Sequence, residues 1–412
     1  MDMNEPPELR ILLAKLSAEF CKEGVVSDNE MKDSFLRYNP SEIAEILLND
    51  GLLGFLWKPL SSLYEFPASQ RTIIKNYLFD TCRRELLVHR QLPMLWSLFK
   101  DEGLDPILLR GPSWQRYYPS EVIRDLSDID LLIHPDQKTK IDIFFEAMGY
   151  KRSFHCPDVW LKDGVTLDIH TDVMGITWLP ASVYAGNIPL QELFDRKKTI
   201  QFEFMTRCQG RRLDINAFNL GGLTAESSIF QGDEKELLKI SVLEEADDLI
   251  CASIHWVKHS FNRLSWSVDL LMLCDQVNKL DLWEEVTERI ERYKVDGLVG
   301  FGLLPVRRIF NADIPDSVIS GNMRSNSSVV SRWIIETISK GRRFEPAGYL
   351  LFASSIGNIF RKFQFYFEIV FPRRKVRRRM FRRYPDAPRW LFPYFHISRG
   401  LSGTMRLIKG LL

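Results

Sequence analysis

The 412-residue sequence predicts an α+β protein, a small mixed-sheet core flanked by N- and C-terminal helical regions. Three observations carry that prediction. Apolar residues recur at helical spacing ahead of residue 105, short apolar runs separated by turn residues fill 105–218, and helical spacing returns after a Gly- and Ser-containing connection at 219–233. The expected division is a helical region over 1–104, the α+β core over 105–218, a helical lobe over 219–345 and a basic, aromatic-rich tail over 346–412.

In the first region Leu9, Leu12, Leu13 and Leu16, then Ile43, Ile46 and Leu47, share helical faces. Asn39-Pro40-Ser41 and Phe66-Pro67-Ala68-Ser69 punctuate them, and the breaker-poor run 69–100 predicts one long helix. The core opens with the strand Ile107-Leu108-Leu109, and a second strand covers 130–133. A helix over 135–148 follows, closed by Gly149, a residue suited to the left-handed position after a helix. Val159-Trp160-Leu161, the turn Lys162-Asp163-Gly164 and Val165 to His170 read as a hairpin. A further hairpin is expected from 199–205 and 213–218 around Gln209-Gly210. From 236 to 312 the pattern is helical, with segments near 244–261, 265–278, 282–293 and 297–310.

Composition narrows the class. The net charge of +1 hides an asymmetry, because residues 373–389 hold nine Arg or Lys against the single acid Asp386. That stretch carries +8 and leaves −7 on the rest, so an anionic partner for the tail is expected. Six scattered cysteines without a CxxC pair argue against a secreted disulfide scaffold and for reduced thiols in the cytoplasm. The first thirty residues lack a basic region followed by an apolar run, so no leader is expected. No apolar stretch reaches the length of a membrane span. The nearest, 349–371, is interrupted by Asn358, Arg361, Lys362, Gln364 and Glu368.

The chemistry concentrates in two short stretches. Leu109-Arg110-Gly111-Pro112-Ser113 places a tight turn after an apolar strand, and Asp128-Ile129-Asp130-Leu131 places two carboxylates two residues apart. Residues i and i+2 of a strand share a face, so Asp128 and Asp130 point the same way while Ile129 and Leu131 point into a core. Two neighbouring carboxylates repel, and a divalent cation is their natural partner. Asp168, among the apolar residues of the second hairpin strand, is the expected third carboxylate. His170, two residues on, either polarises substrate or hydrogen-bonds on its strand.

These residues resemble the uncharacterised nucleotidyltransferase-like family within the DNA polymerase beta-like superfamily. There an apolar strand ends in Lys-Gly, an Arg precedes Asp-Ile-Asp-Leu-Leu, and a later strand reads Val-Asp-Leu-His. The matching positions are Leu108-Leu109-Arg110-Gly111, Arg124 with Ser127-Asp128-Ile129-Asp130-Leu131-Leu132, and Leu167-Asp168-Ile169-His170. The family's His-rich helix followed by Arg, Trp and Asp is similar to Ile254-His255-Trp256-Val257-Lys258-His259, Arg263-Leu264-Ser265-Trp266 and Asp269. Two departures concern phosphate geometry: Arg110 stands where the family has Lys, a planar fork in place of a point charge, and Pro112 donates no backbone N–H.

The resemblance implies a nucleotidyltransferase core that moves a nucleoside monophosphate from an NTP, ATP among the candidates, to an acceptor hydroxyl or phosphate with pyrophosphate release. Asp128, Asp130 and Asp168 are the implied catalytic residues and ligands of two Mg²⁺ ions, with Mn²⁺ as the substitute. Arg110, Gly111, Ser113 and Arg124 are the implied nucleotide-binding residues. The acceptor is a small molecule, a sugar phosphate or a peptide or protein side chain. The alternatives are a catalytically silent nucleotide-binding or assembly protein of a biosynthetic cluster, and a toxin-type transferase acting on tRNA or protein.

In the helical lobe His255 and His259 lie at i and i+4, a spacing that can bind zinc, but no Glu follows His255 and no third ligand is evident. A substrate-facing or structural pair is the expectation, with Lys258 and Arg263 able to reach an anionic substrate. The tail mixes Phe363, Phe365, Tyr366 and Phe367 with the basic run and Trp390. That mixture suits an anionic membrane surface or a polyanion such as nucleic acid, and equally a packed helix pair with a solvated basic face.

Overall fold

The computed structural model describes residues 6–24, 26, 33, 37–63, 66, 68–119, 121–126, 128–154, 156, 158–174, 186–202, 238–323 and 328–370. Among the described residues four long helices lead the chain: α1 (Pro7–Glu23), α2 (Pro40–Asn49), α3 (Leu53–Leu63) and the 34-residue α4 (Ala68–Asp101). The core follows with β1 (Ile107–Leu109), a 3₁₀ helix (Gly111–Tyr117), β2 (Ile129–Leu132), α5 (Lys138–Ala147), β3 (Lys151–Arg152), β4 (Val159–Lys162), β5 (Val165–His170), α6 (Leu190–Arg196), β6 (Lys198–Phe202) and β7 (Leu238–Val242). Eight helices complete it: α7 (Glu245–Lys258), α8 (Ser265–Lys279), α9 (Trp283–Tyr293), α10 (Asp296–Phe310), α11 (Asp316–Met323), α12 (Val329–Ser339), α13 (Ala347–Ser355) and α14 (Ile359–Val370).

The strands form one mixed sheet ordered β3-β4-β5-β2-β1-β7-β6. β1 and β2 pair antiparallel, whereas β2 runs parallel to β5 with Asp130 opposite Asp168 and Leu132 opposite His170. The expected hairpin is β4–β5, and its turn residues Asp163 and Gly164 both hold positive φ, as a two-residue hairpin turn requires.

Period-two alternation divides the sheet. Leu108, Ile129, Leu131, Trp160, Leu167, Ile169, Ile240 and Val242 pack with α5 and the second half of α4, from Val88 to Phe99. Ile107, Leu109 and Leu132 join a larger core built with the C-terminal helices. The polar residues Asp130, Asp168 and His170 have the alternate parity to the first set, so they rise from the face turned toward α7.

One expectation needs correction. The helical reading of the chain from 236 onward fails at Leu238–Val242, which is β7, paired in parallel with β1 and antiparallel with β6. The stretch Leu238-Lys239-Ile240-Ser241-Val242 alternates apolar and polar residues, and burying Ile240 and Val242 on one sheet face decides for strand. The sheet therefore extends past residue 218. The hairpin expected with 213–218 lies outside the described residues, as do 371–412 of the tail and Ser127.

Candidate active site

β1 ends at Leu109, and the chain turns sharply at Arg110 (φ +43°, ψ −159°) and Gly111 (φ +46°). A non-glycine residue at positive φ is strained by about 1–3 kcal/mol, a penalty that concentrates at functional sites. The following 3₁₀ turn holds it in place, because the Ser113 N–H and Oγ each donate to the Arg110 carbonyl at 2.9 Å. A side chain on Gly111 would have room, so its conformation is what calls for glycine.

This turn aims the Arg110 guanidinium across to β2. Nη2 lies 3.0 Å from Asp130 Oδ1 and Nε 3.3 Å from Oδ2. The parallel register with β5 brings in the other two groups: His170 Nε2 is 2.7 Å from Asp130 Oδ1 and 3.6 Å from Asp168 Oδ2. Burial alone raises the proton affinity of Asp130, but Arg110 and His170 over-compensate and hold its carboxyl well below the ordinary range. Asp130 is therefore ionised, and its short contact with His170 requires the proton on Nε2. Asp168 behaves oppositely, raised first by burial and then by the Asp130 charge, against the pull of His170, Lys258 and Arg110.

Candidate metal ligands meet here. One ligand atom each from Asp130, Asp168 and His170 lies within 4.8 Å of the others. Two hard carboxylates from adjacent strands fit a hard divalent cation such as Mg²⁺ or Mn²⁺, and the raised Asp168 is the carboxylate that such a charge would relieve. Asp128 stands one residue ahead of β2, partly exposed, with its charge acting on Arg110. The spacing argument named Asp128, Asp130 and Asp168. The ligand group gathered by the register holds His170 beside the latter two.

The opposite wall is the last turn of α7. Lys258 is partly buried, and its ammonium has no hydrogen-bond or ion-pair partner among the described residues. Burial and then the Arg110 charge pull its ammonium down to about 8, against Asp130, Asp168 and Asp172. The imidazoles of His255 and His259 lie 4.5 Å apart between centroids, and Trp266 closes the cluster at 4.8 and 5.1 Å. Desolvation, with Lys258 and Arg110 nearby, lowers His259 to about 3, and His255 is lowered by burial and the same cations, so both rings are neutral at pH 7. His255 Nδ1 is buried without a hydrogen-bond partner among the described residues.

Other residues named from the sequence are placed differently. Arg124 is buried in a bidentate pair with Asp269 of α8, Nε at 2.9 Å and Nη2 at 2.7 Å, leaving Nη1 beside Gly111. The Ser113 hydroxyl donates to its own turn. Arg263 pairs with Asp125 at 3.6 Å, and Asp125 also accepts from Tyr77 and Arg84. Asp269 and Trp266 went unassigned in the spacing argument, as did Asp172. The Trp266 signal was there, seven residues beyond His259, but only the loop closing α7 onto α8 brings its ring against the histidines.

A glycine-bearing turn after one strand, facing carboxylates on two adjacent strands of a small mixed sheet, is the arrangement of a nucleotidyltransferase core. The chain belongs to the uncharacterised nucleotidyltransferase family, whose model matches residues 38–311. The match spans every strand and α2 to α10 and leaves out α1 and α11 to α14. No curated protein and no solved structure matches the chain.

Proposed function

We propose that the chain transfers a nucleoside monophosphate from an NTP to an acceptor hydroxyl or phosphate, releasing pyrophosphate, in the space between the β2–β5 carboxylates and the end of α7. The observation that carries this reading is the parallel register setting Asp130 opposite Asp168, with Arg110 across them at 3.0 Å. When bound, Mg²⁺ or Mn²⁺ held by Asp130 and Asp168, with Asp128 at the rim, supplies charge neutralisation on the phosphates and lowers the proton affinity of the acceptor.

The chain's own groups do the rest. Asp168, with a raised proton affinity, is the group suited to receive the acceptor's proton. Arg110 and the unpaired Lys258 set two cations on opposite walls, where they hold phosphate oxygens and offset the negative charge that grows on the leaving pyrophosphate. Arg124 backs the turn through Nη1, and the Gly111 backbone admits close approach of a phosphate. The neutral rings of His255, His259 and Trp266 offer an apolar, hydrogen-bonding surface for the acceptor or the base. Acceptors compatible with this wall are a small molecule, a sugar phosphate or a peptide or protein side chain.

The test is pyrophosphate release with Mg²⁺ and each NTP, alongside transfer of label from NTPs to pools of a cell extract. Asp130→Asn and Asp168→Asn are expected to lower transfer by at least about a hundredfold with the fold intact. A folded Asp130→Asn protein that transfers label at the wild-type rate would sink the assignment. NTP binding without turnover in any pool would point instead to a silent nucleotide-binding protein.

A further inference from the structure

No helix of the described residues is long and apolar enough to cross a membrane, yet the last one presents a face that a folded protein ordinarily covers. Five apolar side chains of α14 are exposed: Ile359 57%, Phe360 80%, Phe363 68%, Tyr366 40% and Phe367 57%. At 100° per residue they fall within an arc of about 120°. Phe365 projects from the far side of the helix and is fully buried in the body of the protein. The helix shows five apolar residues outward, with Lys362 at one edge of the arc, Gln364 at the other and Arg361 on the far side near Phe365.

Charge selects the occupant. The residues that follow, 373–389, carry nine cations and one acid. A second copy of the chain would carry the same +8 stretch, and like charges oppose such pairing. A nucleic acid is met by aromatics interleaved with cations in one groove, whereas here the arc is uniformly apolar and the cations stand beside it or after it. An apolar arc with a Lys at its edge, followed in the sequence by a polybasic stretch, is the pattern of a helix lying in the plane of an anionic bilayer, its rings in the acyl boundary and its cations toward the headgroups.

We propose that α14 is an interfacial anchor that seats Ile359, Phe360, Phe363, Tyr366 and Phe367 in an anionic lipid surface, with the basic stretch 373–389 supplying the electrostatic half of the attraction. The two halves act together, because one shallow apolar insertion holds only weakly and polybasic attraction adds to it. The surface is independent of the nucleotide site. α14 lies outside the stretch matched by the family, and none of its residues belongs to the carboxylate group or to the α7 wall.

The experiment is co-sedimentation of the full chain with vesicles of phosphatidylcholine alone or with about 30% phosphatidylglycerol, at low salt and at about 0.5 M salt. Wild type is expected to partition at least about tenfold more onto anionic vesicles, and high salt to remove most of that excess. Phe360→Ser/Phe363→Ser and, separately, Arg377→Gln/Arg378→Gln/Arg379→Gln should each lower anionic partitioning by about tenfold. Melting curves should be unchanged for the aromatic variant, whose substituted rings are exposed in the folded chain. Equal partitioning of the wild type and the aromatic variant overturns the proposal. So does equal binding to neutral and anionic vesicles. Loss of duplex or single-stranded nucleic acid binding in the same variants, without vesicle binding by the wild type, overturns it in favour of a nucleic-acid surface. Wild-type self-association removed by the aromatic variant, again without vesicle binding, overturns it in favour of a second copy.

Discussion

Removal of Asp269 tests how the helical lobe is fastened to the sheet. Its carboxylate is fully buried on α8, accepts from Arg124 Nε at 2.9 Å and Nη2 at 2.7 Å, and also accepts from the Tyr118 hydroxyl. Asp269→Leu leaves a buried guanidinium without its counter-charge, a loss of about 3–5 kcal/mol, and takes one acceptor from the Tyr118 hydroxyl. Arg124→Met with Asp269→Leu removes both charges, and because neither needs compensation the double variant should lose only about 1–2 kcal/mol. Arg124→Met alone strands the buried carboxylate at a similar cost, so the two single losses together exceed that of the double variant by at least about 4 kcal/mol, which is the coupling between the positions. Urea unfolding of the wild type, both single variants and the double variant at pH 7 reads these values from the midpoints. If Asp269→Leu costs under about 1 kcal/mol, or if the two substitutions add, the buried pair is not the clamp described. The same proteins separate clamping from nucleotide contact. A folded double variant with an unchanged KM for the NTP places Arg124 behind the turn, whereas a raised KM places Nη1 on the phosphates.

Three further outcomes follow from the structure. Burial and then Glu245 raise the Asp248 carboxyl to about 6 against Arg116, Arg110 and the hydrogen bond from Trp114 Nε1, so the folded chain binds an extra proton between about pH 4 and 6. Stability drawn from this group is full below pH 4 and lost as pH rises through 6. Asp248→Asn should therefore be more stable at pH 7 by up to about 3 kcal/mol and no different at pH 3.5, in thermal melts across that range. Gly54→Ala would put a Cβ 1.8 Å from the Ile123 carbonyl oxygen and push α3 off the loop that carries Arg124. A loss of at least about 3 kcal/mol in urea unfolding is expected, and a neutral result would refute the contact. Lys258→Met removes the unpaired cation of the α7 wall. It should raise KM for the NTP or lower kcat by about tenfold or more with an unchanged melting temperature, and wild-type kinetics would remove Lys258 from the phosphate path.

Much of the fold was legible because the signals are local. Short apolar runs marked β1, β2, β4 and β5, Asp163-Gly164 marked the hairpin turn, and helical spacing placed α7 to α10 within a few residues of their observed bounds. β7 was missed because a five-residue alternating run resembles a helix start until its partner is known. That partner is β1, about 130 residues earlier in the chain.

The candidate site divides along the same line. From the sequence alone come the carboxylate-bearing strands, the Gly111 turn and the basic end of the chain, since each depends on neighbours within a few residues. The tertiary structure alone decided that Asp130 stands opposite Asp168, that His170 joins them at 2.7 Å, that Arg124 faces Asp269 rather than an open cleft, and that α14 turns its aromatic face outward. Strand register, the partner of a buried charge and the exposed side of a helix are set by which surfaces meet. Those meetings join residues far apart in the chain, 145 positions for Arg124 and Asp269, which no local pattern encodes.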